Sequence, residues 1–204
     1  MKKSIPFIFL AVILCSLLIF SSCSKKSEDA AKQEILKGTS SAEDIVIDGI
    51  ISDKEYPFKL EETSTGISLY WFNDESNLYI GLQSESKGWI SIGLDPERMM
   101  KGANFIFLAN VNDEIIVRDD FGTGNFSHSP DTELGGTEDI TRYAGQSTEK
   151  GFSYEIVIPM DSGDQFDKKL APGREYTVLL AINSTDTDFN KKHTARGKTS
   201  ITLN

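Results

Sequence analysis

The sequence predicts an all-β protein, an antiparallel β-sandwich with immunoglobulin-like layers, and three observations predict it. After residue 41 the apolar residues recur with a period of two, in short segments rich in Ile, Val, Phe, Tyr and Thr. Several linkers between these segments have only four or five residues, which suits antiparallel hairpins because a parallel crossover needs a dozen or more. Residues 42–204 contain no convincing amphipathic helix.

The chain begins with the pattern of an export signal. Residues 1–22 start with two lysines, continue with a short apolar run and end with two serines before Cys23. The apolar run is shorter than the roughly 20 residues of a membrane-spanning anchor, which is the alternative interpretation. A cysteine at this point resembles the processing site of a bacterial lipoprotein. We therefore expect lipidation at Cys23 and a lipid-anchored protein of the bacterial cell envelope, outside the cytoplasm.

Residues 23–41 are polar and charged, which predicts a flexible tether between the membrane and a domain at residues 42–204. Removal of the signal removes two lysines and lowers the formal net charge from −10 to −12. So acidic a domain is a poor partner for nucleic acid or for an anionic membrane surface. The signal also contains Cys15, so that only Cys23 would remain, and neither a disulfide nor thiolate chemistry is expected.

Nine segments of the domain have the composition of strands and are bounded by Gly, Asn, Asp, Ser or Pro. The linkers NDESN, SESKG and VNDE each predict a hairpin between the segments on either side. In chain order, the predicted strands cover residues 45–51, 67–73, 77–84, 88–94, 103–111, 114–120, 152–159, 176–183 and 199–203.

Two long polar segments contain both histidines of the chain. Residues 119–140 are rich in glycine, show no periodicity and include His128, whereas residues 184–197 include His193. A loop of more than about 15 residues in a compact domain is usually functional or disordered. A rigid sandwich commonly presents its binding site on such loops. The two histidines are therefore candidate site residues.

Five segments together resemble a DOMON domain: GWISIGL, MMKGAN, IIVRDD, HSPDTELGGTEDI and KKHTARG. The resemblance extends over residues 67–203, nearly the whole predicted domain. It implies a β-sandwich, in agreement with the strand pattern. Some members of this family are cytochrome-type domains that bind b-type haem, and others bind sugars.

The haem-binding members hold the iron between a methionine and a histidine. The resemblance places these ligands at Met100 and His193. Arg196, three residues after His193, is the candidate cation for the haem propionates. A thioether and an imidazole are suitable axial ligands for a low-spin iron that transfers electrons. The chain lacks a C-x-x-C-H motif, so the haem would be bound non-covalently. Met99 and His128 are possible alternative ligands.

Each of these residues also has an ordinary structural interpretation. A methionine beside a Gly-Ala turn is usually a core residue, and a loop histidine is usually solvated. Trp71 and Trp89 are possible haem or sugar contacts, but at alternate strand positions they also suit the core. The acidic residues of the long loop offer oxygen ligands for calcium. They form no D-x-D-x-D-G loop, so no metal beyond a haem iron is predicted.

The sequence therefore predicts an envelope-anchored lipoprotein with a haem-binding domain that relays electrons to or from a redox partner protein. We expect no catalytic residues, since no recognisable nucleophile elbow is present. The alternative is a non-catalytic carbohydrate-binding module at the cell surface. A structural domain without a ligand is the third interpretation.

Overall fold

Two six-stranded antiparallel sheets form a β-sandwich in the computed structural model, which describes residues 34–35, 41–149 and 151–204. The fold class predicted from the sequence is confirmed. The predicted signal, Cys23 and most of the predicted tether lie outside the described residues. In the part of the chain that is described, no helix is long and apolar enough to cross a membrane.

The first sheet has the strand order β1-β2-β3-β4-β10-β9, and every neighbouring pair is antiparallel. Its strands are β1 (Glu34–Ile35), β2 (Phe58–Glu62), β3 (Ile67–Asn73), β4 (Asn77–Ser84), β9 (Arg142–Thr148) and β10 (Gly151–Pro159).

The second sheet has the order β12-β11-β5-β6-β7-β8 and is also antiparallel throughout. Its strands are β5 (Ile90–Leu94), β6 (Asn104–Val111), β7 (Glu114–Gly124), β8 (Ser127–Pro130), β11 (Glu175–Ile182) and β12 (Ala195–Thr202). A 3₁₀ turn (Ala42–Asp44) precedes the first sheet's long strands, and one short helix, α1 (Asp131–Leu134), follows β8.

The core between the sheets consists mainly of aliphatic side chains at alternate strand positions, as the period of two requires. Burying a side chain of this size stabilises the fold by about 2 kcal/mol. Trp71 is fully buried among them. The central members are Leu69, Ile80, Leu82 and Ile156 of the first sheet, and Ile92, Ile106, Leu108, Val178 and Leu180 of the second.

Eight of the nine predicted strands are present, but the prediction of a strand at residues 45–51 is wrong. Buried carboxylates, and not a neighbouring strand, accept hydrogen bonds from its backbone. The Val46 N–H donates to Glu55 Oε1 at 2.9 Å, and the Gly49 N–H donates to Glu155 Oε2 at 2.8 Å. Four strands that the pattern does not predict are β1, β2, β8 and β9; β8 and β9 are polar edge strands, and β1 lies within the predicted tether.

The predicted hairpin at SESKG is also wrong, because this linker crosses from the first sheet to the second. It is held on the connection between β11 and β12: Ser86 Oγ donates to the Asn183 carbonyl at 2.6 Å, and the Lys87 N–H donates to Ser184 at 3.2 Å. The hairpin at VNDE is confirmed. Asn112 and Asp113 both have positive φ there, the geometry of a turn that matches the twist of the strands.

The long loop predicted at residues 119–140 is mostly regular. Strand β7 continues to Gly124, β8 pairs back against it, and α1 follows. The parts without repeating structure are the two-residue turn at 125–126 and residues 135–141. Glycines at the end of β7 concealed the strand from a pattern based on alternating apolar residues.

Candidate functional site

The outer face of the second sheet carries an aromatic cluster, formed by Trp89, Phe105, Phe107 and Phe189. Strand β6 is buried on both faces: Ile106 and Leu108 point into the sandwich, while Phe105 and Phe107 point outwards. Phe189 belongs to the connection between β11 and β12, which folds over this face. We call this group the outer aromatic cluster.

Phe107 lies at the centre of the outer aromatic cluster. Its ring centroid is 5.4 Å from Trp89 in an edge arrangement, 5.5 Å from Phe189 and 6.0 Å from Phe105. None of the four side chains is more than 7% exposed. The Trp89 Nε1–H is buried and lacks a hydrogen-bond acceptor among the described residues. A buried N–H without an acceptor reduces the stability of the folded state unless a ligand or water accepts its hydrogen bond.

A charged network lies on the same face. The Asp120 carboxylate is fully buried and accepts two hydrogen bonds from Arg118, from Nε at 2.6 Å and from Nη2 at 2.8 Å. His128 Nδ1 lies 2.5 Å from Asp120 Oδ2, the oxygen that also accepts from Arg118 Nη2. The His128 ring stacks on Phe107 at 4.7 Å, and the Arg118 guanidinium lies over Phe107 and Phe189. His128 is thus oriented by a carboxylate, as metal-binding histidines commonly are.

Met100 lies in the connection between β5 and β6 and is half-buried against the outer aromatic cluster. Its carbonyl oxygen approaches Gly122 so closely that a Cβ on that glycine would lie 1.8 Å from it. Only glycine therefore allows the turn to lie against β7. Met99 has a positive φ and is 44% exposed. The structure thus places Met100 on the aromatic face and Met99 in solvent.

His193 lies in the connection that precedes β12 and is half-buried. Burial, followed by the charges of Arg196 and Lys192, lowers the pKa of the His193 imidazole, so its neutral form is favoured. Arg196 is in register with Ala181, which packs against the outer aromatic cluster, so both project from the same face.

Met100 and His193 lie at opposite ends of the second sheet. Met100 follows Leu94, the last residue of β5, whereas His193 lies near Ile182, which pairs with Ile90 at the start of β5. The strand spans about 14 Å between these ends. Met100 and His128 both contact the outer aromatic cluster, but no hydrogen bond or ring contact within the described part of the chain joins His193 to it.

The two tryptophans are both buried. Trp71 lies between the sheets, stacks on Phe58 with ring centroids 5.5 Å apart, and donates from Nε1 to the Thr202 carbonyl at 3.1 Å. A ligand at the surface does not reach it. Trp89 is 3% exposed within the outer aromatic cluster. Only a ligand that enters this cluster would contact Trp89.

A second polar site lies at one end of the sandwich, where Asp119, Asp131 and Asp167 converge. Burial is the main cause of a raised pKa for each carboxyl group: to about 8 for Asp119, about 7 for Asp131 and about 6 for Asp167. Neighbouring carboxylates raise these pKa values further. We call these three residues the acidic cluster.

The sequence pattern identifies Asp119 and Asp131 as oxygen ligands of one segment but does not identify Asp167. Asp167 lies in the connection between β10 and β11, far from the other two in sequence. The sequence feature that points to Asp167 is the acidic run DSGDQFD, which follows a predicted strand. Whether this run lies near Asp119 and Asp131 depends on the order of the strands in the sheets, which a local sequence pattern does not show.

Comparison with known proteins supports the fold. The family model of the DOMON domain matches residues 63–183. The chain is similar to the cytochrome domain of Myriococcum thermophilum cellobiose dehydrogenase, with a TM-score of 0.51 and 14% identity, over 72% of this chain and 83% of that one. It is likewise similar to the cytochrome b domain of pyranose dehydrogenase from Coprinopsis cinerea, with a TM-score of 0.51 and 13% identity, over 81% of this chain and 87% of that one.

A weaker likeness, with a TM-score of 0.43 and 14% identity, links the chain to a family 9 carbohydrate-binding module from Caldicellulosiruptor kristjanssonii in complex with cellotriose, over 78% of this chain and 88% of that one. No curated protein matches the sequence. The DOMON model covers more than half of the chain. The matched residues include the strands of the outer aromatic cluster, the charged network of Arg118, Asp120 and His128, and all three residues of the acidic cluster. The chain belongs to the DOMON domain family.

Proposed function

We propose that this protein is a non-catalytic haem-binding domain, held at the cell envelope, that relays electrons. The observation that carries the proposal is the outer aromatic cluster, an apolar floor with Met100 packed against it. His193 and Arg196 flank the same sheet at its other end. The cluster thus lies between the two ligands implied by the family resemblance. Met100 and His193 would hold a haem on this face, and the outer aromatic cluster would supply its apolar contacts.

The donor set suits such a group. Met100 offers a thioether, and His193 offers an imidazole whose lowered pKa favours the neutral form, which can bind a metal through one ring nitrogen. Arg196 projects from the same face as Ala181 and would neutralise an acidic edge of the ligand. The unpaired Trp89 Nε1–H is a further donor within the cluster. A haem held by Met100 and His193 would supply reversible one-electron transfer.

Side chains of the protein cover the aromatic floor in its present conformation. Phe189, Arg118 and His128 all lie against Phe107. A ligand on Phe107 must therefore replace at least one of these contacts with its own. Phe189 belongs to the same connection as His193, so movement of this connection would uncover the floor and reposition the histidine together.

The carbohydrate-binding alternative lacks an exposed tryptophan on which a sugar ring could stack. Trp71 and Trp89 are 0% and 3% exposed. Among the described residues, the exposed aromatic side chains are Phe126 and Tyr143, and they lie at the edges of different sheets, so they do not form one stacking surface. We therefore place haem first and treat glycan binding as an outcome of the test.

The proposal is tested by the visible spectrum of the purified full-length chain titrated with haem. We expect sharp reduced α and β bands of a low-spin b-type haem that acid acetone extracts. Met100→Leu should convert the haem to high spin and lower its potential, because a hydrocarbon replaces one axial ligand. His193→Ala should abolish most of the binding.

Met99→Leu is the matched control for Met100→Leu, because Met99 is exposed next to it and should leave the spectrum unchanged. His128→Ala tests the rival histidine, which the Asp120 carboxylate already orients. Loss of the spectrum in His128→Ala, with His193→Ala unaffected, would assign the second ligand to His128. Absence of haem uptake by the wild-type chain would overturn the proposal, and glycan binding by that same chain would favour the sugar module.

A further inference from the structure

The acidic cluster brings together three side chains from separate parts of the chain. Asp119 lies on β7, Asp131 is the first residue of α1, and Asp167 lies in the connection between β10 and β11. One carboxylate oxygen from each lies within 4.8 Å of the other two. Three atoms so arranged share a centre about 2.8 Å or less from each, close to the distance at which oxygen binds Ca²⁺.

Several side-chain oxygens of these residues and of the neighbouring Asn104 are buried without a partner. Asp131 is 0% exposed, and within the described ranges neither of its carboxylate oxygens accepts a hydrogen bond. The same holds for Asp119 Oδ1. Asn104 gives a second, independent indication of a ligand at this site, because it is not acidic. Its side-chain amide donates to Asp167, while its Oδ1 is buried and unpaired. Native proteins rarely leave such acceptors unsatisfied.

Asp120, the residue after Asp119, is a buried carboxylate that is paired with basic side chains. Asp120 is as buried as Asp131, yet Arg118 and His128 satisfy it on the outer face. By contrast, none of the ion pairs formed by the described residues includes a member of the acidic cluster. A buried group of carboxylates is costly unless a cation compensates it.

We propose that the acidic cluster and Asn104 bind one hard divalent cation, and the donor set favours Ca²⁺. All of the donor atoms are oxygens, which excludes a preference for soft metals. Three carboxylates and one amide oxygen can supply four to about seven ligand atoms, depending on how many carboxylates bind through both oxygens. Ca²⁺ accepts 6–8 oxygens in flexible geometry, whereas Mg²⁺ demands a regular octahedron and retains several waters.

Such a cation would join the two halves of the sandwich. Asn104 and Asp119 lie on neighbouring strands of the second sheet, and Asp167 lies in the connection that arrives from the first sheet. Asp131 directly follows β8, the strand that contains His128. The cation would therefore fix α1 and the end of the strand that presents His128. The site is structural and does not depend on haem binding.

The experiment uses the purified full-length chain, stripped with EDTA and then returned to chelator-free buffer. We expect calorimetry to show one Ca²⁺ per chain, and 1 mM CaCl₂ to raise the melting midpoint by about 5–10 °C. Asp131→Asn should lose this shift. Without calcium it should melt no lower than the wild type, because the substitution removes a buried charge. Asp167→Asn, at a less buried position, should weaken Ca²⁺ binding at least tenfold and provides the test if Asp131→Asn fails to fold.

Glu133→Gln is the matched control, since it removes one negative charge from the same helix at an exposed position and should keep the full shift. Equal melting midpoints of the wild-type chain in EDTA and in CaCl₂, with no heat of binding, would overturn the proposal. So would a calcium shift retained in both Asp131→Asn and Asp167→Asn. Because the measured quantity is the calcium-dependent shift, a failure of haem uptake leaves this result unaffected.

Discussion

Glu155 is a buried carboxyl group that attaches the segment before β2 to the first sheet. Its Oε2 accepts the N–H groups of Asp48 and Gly49 at 3.1 and 2.8 Å, and its Oε1 accepts the Tyr56 hydroxyl at 2.8 Å. The side chain is 0% exposed, and this burial is the main cause that raises its pKa to about 7, although the three donors lower it. The ordinary pKa of a glutamate is 4.5.

Because the folded-state pKa of Glu155 exceeds the unfolded one, its contribution to stability is complete below about pH 4.5 and is lost as the pH rises through 7. We therefore expect the free energy of unfolding of the wild-type chain to fall, relative to that of Glu155→Gln, by on the order of 2–3 kcal/mol between pH 4.5 and 8. Urea unfolding at both pH values measures this difference. Glu85→Gln, at an exposed position, should show the same change in the free energy of unfolding as the wild type. A free energy of unfolding that falls more for Glu155→Gln than for the wild type as the pH rises would contradict the assignment.

At the scale of elements, β7 decides where Met100 lies. The strand continues past its predicted end at residue 120 to Gly124, and the Met100 turn rests on its backbone. The Gly102 N–H donates to the Gly122 carbonyl at 2.8 Å, and the Gly122 N–H donates to Ala103 at 2.8 Å. These bonds hold the turn against the strand, so Met100 faces the outer aromatic cluster.

Gly122→Ala should displace the Met100 turn, because the added Cβ would meet backbone atoms at 1.8 and 2.8 Å and backbone yields little. We expect a loss of about 1–3 kcal/mol in the free energy of unfolding, together with weaker haem uptake. Urea unfolding and haem titration measure the two effects. Gly124→Ala is the matched control on the same strand, because its Cβ would meet only the Ser127 hydroxyl. Equal losses in the two variants would show that the close approach at Gly122 is not what constrains this turn.

At the scale of the whole molecule, the predicted lipid anchor would determine where the domain works. The sequence places a basic start, an apolar run and two serines before Cys23, and a polar segment of residues 24–41 follows. We propose that a lipid on Cys23 holds the protein on the envelope membrane. The acidic charge of the domain would then keep it away from anionic lipid headgroups and leave it available to a redox partner.

Cys23→Ala should abolish palmitate labelling and leave the protein unprocessed or released from the membrane fraction. The measurement is radiolabelling of the full-length chain in a bacterial host, followed by fractionation. Cys15→Ala is the control, since Cys15 lies within the predicted signal and should be dispensable for lipidation. Unchanged labelling and partitioning in Cys23→Ala would contradict the lipoprotein assignment.

The sequence by itself determined the fold class and most strands, because side-chain alternation is a local property that a strand buried on one or both faces must display. The segment at residues 67–73 alternates between buried and half-buried residues and is a strand in the structure. The segment at residues 45–51 is likewise rich in residues that favour strands, with four Ile and one Val, and is not a strand. Its partners, Glu55 and Glu155, lie on other segments, and that pairing is not visible in a local pattern.

Only the tertiary structure decided which polar residues meet. Asp119 and Asp120 are consecutive, yet adjacent side chains of a strand point to opposite faces, so one joins the acidic cluster and the other pairs with Arg118. Asp167 reaches the acidic cluster because the chain crosses from the first sheet to the second after β10. Sheet order and register are set by contacts between residues far apart in sequence. A motif therefore names candidate ligands, and the topology determines which of them converge.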